Sequence, residues 1–385
     1  KNPFLGGRVA QLNQYFPKLC PPTCGLEINF RRIKDNPGIK VLTLAQIEKV
    51  DGTPGNYDVT IKLAPRYVNE NCTCCGDCAE ASQTEIDSEF DFGMQKVNGA
   101  YLPFEMAFPA RFVISPEIIG SDDAQRCKDA CKYDAVDFEM EAKTLNFNVG
   151  SIVWATGWEP YDATKIDNLG FGQYPNIITN MMMERLASPN GPTKGKIVRP
   201  SDDKAPESIA FVQCAGSRDE NHLPYCSYIC CMASLKQATY VRERYPDAKI
   251  YVFYIDLRTP GLRYERFYEQ IKKDENIFLI KGKVAEVSED PTNKNISVVA
   301  ENAVTGEKIH QTVEMVVLAT GMQPTTATTK LPADLTYNDD GFIINDFETG
   351  GMFAAGCANK PADVVSSNQN ATGMALKAIQ TLVNR

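Results

Sequence analysis

At 385 residues the chain is longer than one hydrophobic core normally organises, so more than one domain is expected. Hydrophobic residues make up 43% and charged residues 23%, which excludes a disordered chain, and a net charge of −9 excludes a nucleic-acid binder that needs a basic face. No apolar run reaches the roughly 20 residues of a membrane span: residues 101–120 come nearest and are interrupted by Glu105, Arg111 and Glu117.

From the N-terminus, Lys1-Asn2-Pro3-Phe4-Leu5-Gly6-Gly7-Arg8 reads as the continuation of a dinucleotide-binding βαβ unit just past its second strand. The glycine fingerprint and the acidic ribose-binding residue of such a unit are expected upstream, so the N-terminal βαβ start is read as missing. Cys20-Pro21-Pro22-Thr23-Cys24 follows. Its three-residue spacing and its prolines favour buried structural thiols over a redox-active pair. A strand end is expected at Ala45-Gln46.

Residues 65–147 differ in character, being rich in Cys, Asp and Glu, and are read as an inserted small domain. The thirteen cysteines of the chain are clustered, and Cys72, Cys74, Cys75 and Cys78 are too close together to staple distant segments. Iron–sulfur ligation is therefore preferred to disulfides, and a reducing compartment is expected. In a two-cluster ferredoxin each C-x₂-C-x₂-C-x₃-C run gives three ligands to one cluster and its fourth to the other. Here Cys72, Cys75 and Cys78 are followed by Ser82 where the fourth cysteine belongs, and the second run keeps only Cys127 and Cys131. The crossing rule leaves Cys72, Cys75, Cys78 and Cys131 as one complete set, with Cys74 as an extra thiol. The insert is expected to hold one cluster.

Gly150-Ser151-Ile152-Val153-Trp154-Ala155-Thr156-Gly157 and Glu314-Met315-Val316-Val317-Leu318-Ala319-Thr320-Gly321 form an internal duplication, a buried strand ending in Ala-Thr-Gly. Small residues at such an end let backbone approach a cofactor closely. The first copy opens a segment assigned to 148–206.

A second α/β unit is expected over 207–312. It has strands at 209–213, 249–255, 277–281, 296–301 and 308–313 and a helix from about 225 to 244. The first strand runs into a turn and a helix with no G-x-G-x-x-G, so nicotinamide dinucleotide binding is disfavoured, although Asp256 ends the next strand where a ribose would sit. Four cysteines occupy the turn and helix start instead: Cys214, Cys226, Cys230 and Cys231. Helix N-termini favour thiolates, and four thiolates are the usual complement of an iron–sulfur cluster. His222 and His310, the only histidines, are read as structural.

The last segment, 313–385, carries the second Ala-Thr-Gly strand and Ala354-Ala355-Gly356-Cys357-Ala358, then Asp363 and a helix to about Leu382. Asp363 is read as a helix cap, with the helix end available to a negatively charged ring. Tight turns and strand ends at Gly6, Gly7, Arg8, Ala45, Gln46, Ala155, Thr156, Gly157, Gly356, Cys357, Ala358 and Asp363 are expected to line one FAD, in a domain split over 1–64, 148–206 and 313–385. Arg8 is placed on its diphosphate, with a surface position beside it as the alternative.

Gly6-Gly7-Arg8, Cys20-Pro21-Pro22-Thr23-Cys24, the ferredoxin-like insert, Val212-Gln213-Cys214-Ala215-Gly216-Ser217-Arg218-Asp219, Cys226-x-x-x-Cys230-Cys231 and Ala354-Ala355-Gly356-Cys357 resemble the A subunit of heterodisulfide reductase, along essentially the whole chain. Within that family the resemblance is closest to the A subunit of the quinone-interacting membrane-bound oxidoreductase complex of sulfate reducers. It implies an α/β, thioredoxin-reductase-like flavoprotein with two dinucleotide domains, an inserted ferredoxin-like domain and non-covalent FAD. With the 4Fe-4S cluster it implies on Cys214, Cys226, Cys230 and Cys231, the total becomes two 4Fe-4S clusters and one FAD. The implied partners within the complex are a haem-containing membrane subunit plus a second flavin/iron–sulfur subunit, with adenylylsulfate reductase as redox partner. The implied location is cytoplasmic, peripheral on the inner face of the membrane through those subunits, with electrons passing between menaquinone and adenylylsulfate reductase. Three alternatives stand beside this: an NAD(P)H-dependent thiol–disulfide oxidoreductase, a scaffold whose cofactor sites have decayed, and an electron-bifurcating flavin subunit.

Overall fold

The computed structural model describes residues 1–348 and 350–383. Its centre is a five-stranded parallel sheet in the order Ile177–Thr179, Met315–Thr320, Ser208–Ala215, Lys249–Tyr254 and Ile277–Lys281. Strands buried on both faces read as continuous apolar runs. Met315–Thr320 is buried at every position, and helices Asn180–Ala187, Cys230–Arg244 and Leu262–Ile271 supply much of the cover. Phe211, Leu235, Val241, Val252 and Val317 are fully or almost fully buried at the centre of one face. The other face packs Val212, Phe253 and Leu318 against an antiparallel sheet of Val284–Glu289, Ile296–Glu301 and Lys308–Val313.

Two strands of the central sheet come from outside 207–312, so the second α/β unit gathers chain from both flanking segments. Sequence cannot show this, because parallel partners lie far apart along the chain. Val284–Glu289 is also a strand that the sequence reading omits. The two Ala-Thr-Gly copies go to different sheets. The second lies in the central sheet, while Ile152–Trp154 pairs in parallel with Met352–Ala354 beside helix Val364–Val383. The short strands after the copies, Trp158–Pro160 and Met322–Pro324, pair antiparallel with each other and join the two halves.

The cysteine-rich segment leaves and returns through neighbouring antiparallel strands, Asn56–Leu63 and Lys143–Val149. Its own core contains Val68, Ala100, Ile114, Ile118, Ala124 and Val136, around the packed helices Asp77–Ala81 and Asp122–Ala130. Ala45-Gln46 begins the strand Ala45–Thr53 rather than ending one. Among the described residues no helix is long and apolar enough to cross a membrane.

Candidate functional site

The strand Ser208–Ala215 delivers Cys214 to the carboxyl edge of the central sheet, where loops carry chemistry in open α/β folds. The helix begins at Cys230, five residues later than the sequence pattern suggests. The intervening chain is a built turn. Ser217 and Ser227 hydroxyls hydrogen-bond at 2.6 Å, Ser227 Oγ accepts from the Met322 N–H at 2.8 Å, and Tyr225 donates to the Met322 carbonyl at 2.8 Å. Cys214 and Tyr228 sit at φ 57° and 69°, a left-handed backbone disfavoured for residues with a side chain. Gly321 faces this turn, and a Cβ there would lie 2.6 Å from Ser217 Oγ.

The result brings Cys214, Cys226, Cys230 and Cys231 to one small cavity, shared with Ser217, Arg218, Tyr228, Asp256 and Arg258. Cys230 and Cys231 are both buried in the helix's first turn. Their thiols face the Thr320 carbonyl at 3.8 Å and the Asp256 carbonyl at 3.5 Å. Burial, then the charge of Cys231, pushes the Cys214 thiol up to about 11, while Arg218 pulls it back. Burial and the neighbouring cysteines push Cys230 up as well. Four mutually repelling, partly desolvated thiols cannot all ionise alone, whereas a cationic metal core deprotonates its thiolates outright. Four cysteines on one cavity are a donor set of the kind that holds an iron–sulfur cluster. Among the described residues no group of three or more His, Cys, Asp and Glu is spaced for a single metal ion.

In the insert, the raised Cys78 thiol, up to about 12, reflects burial first and then the nearby charges of Cys127, Cys72, Cys131 and Cys75. Those neighbours include the three other members of the expected ligand set. Cys74, at φ 58°, is turned to Cys72 instead; burial and that partner push it up to about 11. Where a second cluster would need ligands, protein atoms fill the space. Ser82 donates to Asp123 at 2.7 Å, Cys127 is fully buried beside them, and a Cβ at Gly99 would lie 2.7 Å from Ile118.

The segments expected around FAD converge. Arg8 Nε donates to the Trp158 carbonyl at 3.4 Å and Nη1 to Gln11 at 3.1 Å, so the guanidinium is turned to the chain after Gly157. Trp158 packs with Met322, Cys357, Ala362 and Ile229, the residue before Cys230, in one apolar cluster. Ala45 sits beside Leu44 and the N-terminal ammonium, and Gln46 is exposed one residue before Ile47, which packs on Trp154, Ala354 and Ala358. A Cβ at Gly7 or Gly157 would meet nothing within 4 Å, so open space adjoins both turns. Among the described residues, Thr156 Oγ1 and Trp154 Nε1 are buried without partners. Open space beside orphaned polar atoms is what a bound cofactor would fill. Gly356 at φ 59° donates to Asn370 at 2.7 Å, Cys357 donates to the Ala362 carbonyl at 3.4 Å, and Asp363 caps its helix by accepting from the Ser366 N–H at 2.7 Å. The other Asp363 oxygen accepts from Tyr264.

One sequence expectation needs correction here. Cys20 and Cys24 are exposed, at the surface end of helix Thr23–Asp35, and are not buried thiols. Asp256, where nucleotide binding is disfavoured from the sequence, pairs its carboxylate with Arg218 at 2.9 Å. Arg218, Arg258, Ser217 and Ser227 belong to the thiol site, although only their closeness in sequence to the cysteines or to Asp256 hinted at it. His222 is held by Tyr161 at 2.9 Å, and His310 lies in the strand Lys308–Val313.

The central parallel sheet thus carries a cavity with four thiols at its carboxyl edge, and the glycine turns at Gly7 and Gly157 border open space. The chain is 39% identical over 394 residues to an iron–sulfur A subunit of the CoB–CoM heterodisulfide reductase of Methanopyrus kandleri, covering 99% of this chain and 60% of that protein. It is 33% identical over 395 residues to the A subunit of the H₂:CoB–CoM heterodisulfide,ferredoxin reductase of Methanothermobacter thermautotrophicus, covering 100% of this chain and 60% of that one. Thus the chain is homologous over its whole length to oxidoreductase A subunits of the heterodisulfide reductase type, and it spans about 60% of the length of these curated relatives. No known family profile matches it. Among solved structures, a T. acidophilum thioredoxin reductase superposes with a TM-score of 0.49 at 12% identity, covering 98% of this chain and 86% of that one.

Proposed function

We propose that this chain is the FAD- and iron–sulfur-binding part of a heterodisulfide-reductase-A-type electron-transfer subunit. The observation that carries the reading is the convergence of Cys214, Cys226, Cys230 and Cys231 on one cavity. These four cysteines would hold one 4Fe-4S cluster, and Cys72, Cys75, Cys78 and Cys131 a second. The turns at Gly6-Gly7-Arg8, Ala155-Thr156-Gly157 and Gly356-Cys357-Ala358, with the chain at Ala45-Gln46, would hold FAD in a thioredoxin-reductase-like fold. Bound there, FAD supplies two-electron chemistry and the clusters take electrons singly. The chain's part is to position these groups and exclude water. Trp158, Met322, Cys357 and Ile229 put apolar cover between the flavin turns and the thiol site. Asp363 fixes the N-terminus of the last helix, whose positive end favours a negatively charged ring nearby.

The relatives' names describe heterodisulfide and ferredoxin reductases, which supports a flavin subunit that bifurcates electrons within a multi-subunit complex. A second reading, favoured by the single ligand set of the insert, is the quinone-linked complex. There adenylylsulfate reductase, a haem-containing membrane subunit plus a second flavin/iron–sulfur subunit would be partners, and the protein would lie in the cytoplasm on the inner membrane face. Anaerobic isolation with co-purifying subunits identified separates the two readings. Roughly eight irons and one FAD per chain are expected. Iron and flavin near zero would instead indicate a decayed scaffold, and NADPH oxidation coupled to reduction of a small disulfide would indicate a thiol–disulfide oxidoreductase.

A further inference from the structure

The cavity that gathers the four cysteines is lined by two cations, Arg218 and Arg258, and one carboxylate, Asp256. Arg218 is held from both ends. Its backbone, at φ 55°, donates to the Tyr225 carbonyl at 3.0 Å, and its Nη2 meets Asp256 Oδ2 at 2.9 Å. Its side chain is 24% exposed while that of Asp256 is 51% exposed, so solvent screens the carboxylate more than the guanidinium. Asp256 also turns its main-chain carbonyl to Cys231 at 3.5 Å, tying the ion pair to the thiol site a second time. A left-handed backbone at an arginine is disfavoured, and here it belongs to a residue whose side chain lines the cavity.

We infer that Arg218 is a positioning residue of this metal centre: Asp256 fixes its guanidinium beside Cys214, where the positive charge raises the reduction potential of a cluster on Cys214, Cys226, Cys230 and Cys231. The inference rests on the iron–sulfur reading above. One-electron reduction adds a negative charge to the cluster, and a fixed cation stabilises the reduced form more than the oxidised one. Arginine keeps its charge at any working pH, so the effect needs no protonation step.

The test is a mediated redox titration of the anaerobically isolated protein, followed by electron paramagnetic resonance, with iron counted in every sample. The signal missing from Cys230→Ser protein identifies the centre. In Arg218→Gln the ratio of reduced to oxidised centre at fixed potential should fall about tenfold, a midpoint about 59 mV lower for a one-electron couple. Arg218→Lys should recover most of the shift. Full iron with an Arg218→Gln midpoint unmoved, or with Arg218→Lys shifted equally, overturns the inference alone. A parent protein with no iron at these cysteines overturns the iron–sulfur reading and the inference with it.

Discussion

Lys236 and Glu184 form an ion pair at 2.9 Å whose side chains are only 2% and 1% exposed, and Lys236→Met probes it directly. The Glu184 carboxylate also accepts from Gln237 Nε2 at 2.6 Å, the Asn13 N–H at 3.0 Å and the Tyr240 hydroxyl at 3.1 Å. Lys236 Nζ donates to the Gln14 carbonyl at 2.7 Å. The network therefore ties the chain that follows Arg8 to the helix that begins with Cys230 and Cys231, the flavin side to the thiol side. Removing the ammonium leaves a buried carboxylate facing neutral donors, at a cost of about 3–5 kcal/mol, and the Gln14 carbonyl loses its donor for about 1 kcal/mol more. Glu184→Gln strands the ammonium in the same way. The double variant removes both charges, so its loss should fall short of the summed single losses by about 2–3 kcal/mol. Urea unfolding followed by far-UV circular dichroism measures the cycle. Amide hydrogen exchange at Asn13, whose N–H donates to Glu184, should quicken in either single variant. Single losses below about 1 kcal/mol that add without coupling would be the signature of a solvated surface pair, and the reasoning from burial would fail.

Cys131→Ser should lower iron from roughly eight to roughly four per chain, whereas Cys127→Ser should leave it unchanged, as read by chemical iron analysis. Asp123 is opposed by burial, yet hydrogen bonds from the Gln83 N–H, Ser82 and Thr84 hold its carboxyl far below the usual carboxylate range. Its stabilisation is therefore full above about pH 4 and is lost only as pH falls through the depressed folded value. Asp123→Asn should cost about 2–3 kcal/mol at pH 7 and flatten the acid limb, checked by denaturation midpoints at neutral and acid pH. Gly216 lies at φ 77° with a Cβ position 2.5 Å from Tyr161, so Gly216→Ala should destabilise by about 2–3 kcal/mol in thermal unfolding.

The thiol site was legible because its signals are local: one cysteine ends an apolar strand, and three stand near the next helix start. The helix start was misplaced because the chain from 225 to 229 looks helical in pattern but is claimed by Ser217, Ser227 and the left-handed Tyr228. The Arg218–Asp256 pair joins residues far apart in sequence, and no spacing rule reveals such a contact. Sheet membership was hidden for the same reason. Ile177–Thr179 and Met315–Thr320 fall in the segments 148–206 and 313–385, and parallel pairing places them in the central sheet. Cys20 and Cys24 are exposed against expectation because prolines between thiols say little about burial, which depends on what packs over the helix start.

The insert shows how an absent ligand becomes a physical statement. In sequence, Ser82 is only a cysteine that is missing. In the fold its hydroxyl donates to Asp123 and accepts from the Gly99 N–H at 3.0 Å, and Asp123 draws in the Gln83 and Thr84 N–H groups and Arg126. A thiolate pair at this place would face that carboxylate, and burial followed by the charge of Asp123 already pushes the Cys127 thiol up. The same polar network lies beside the packed helices Asp77–Ala81 and Asp122–Ala130 of the insert and adds to what holds them together. Restoring cysteine at Ser82 alone would break that network before it could supply a ligand.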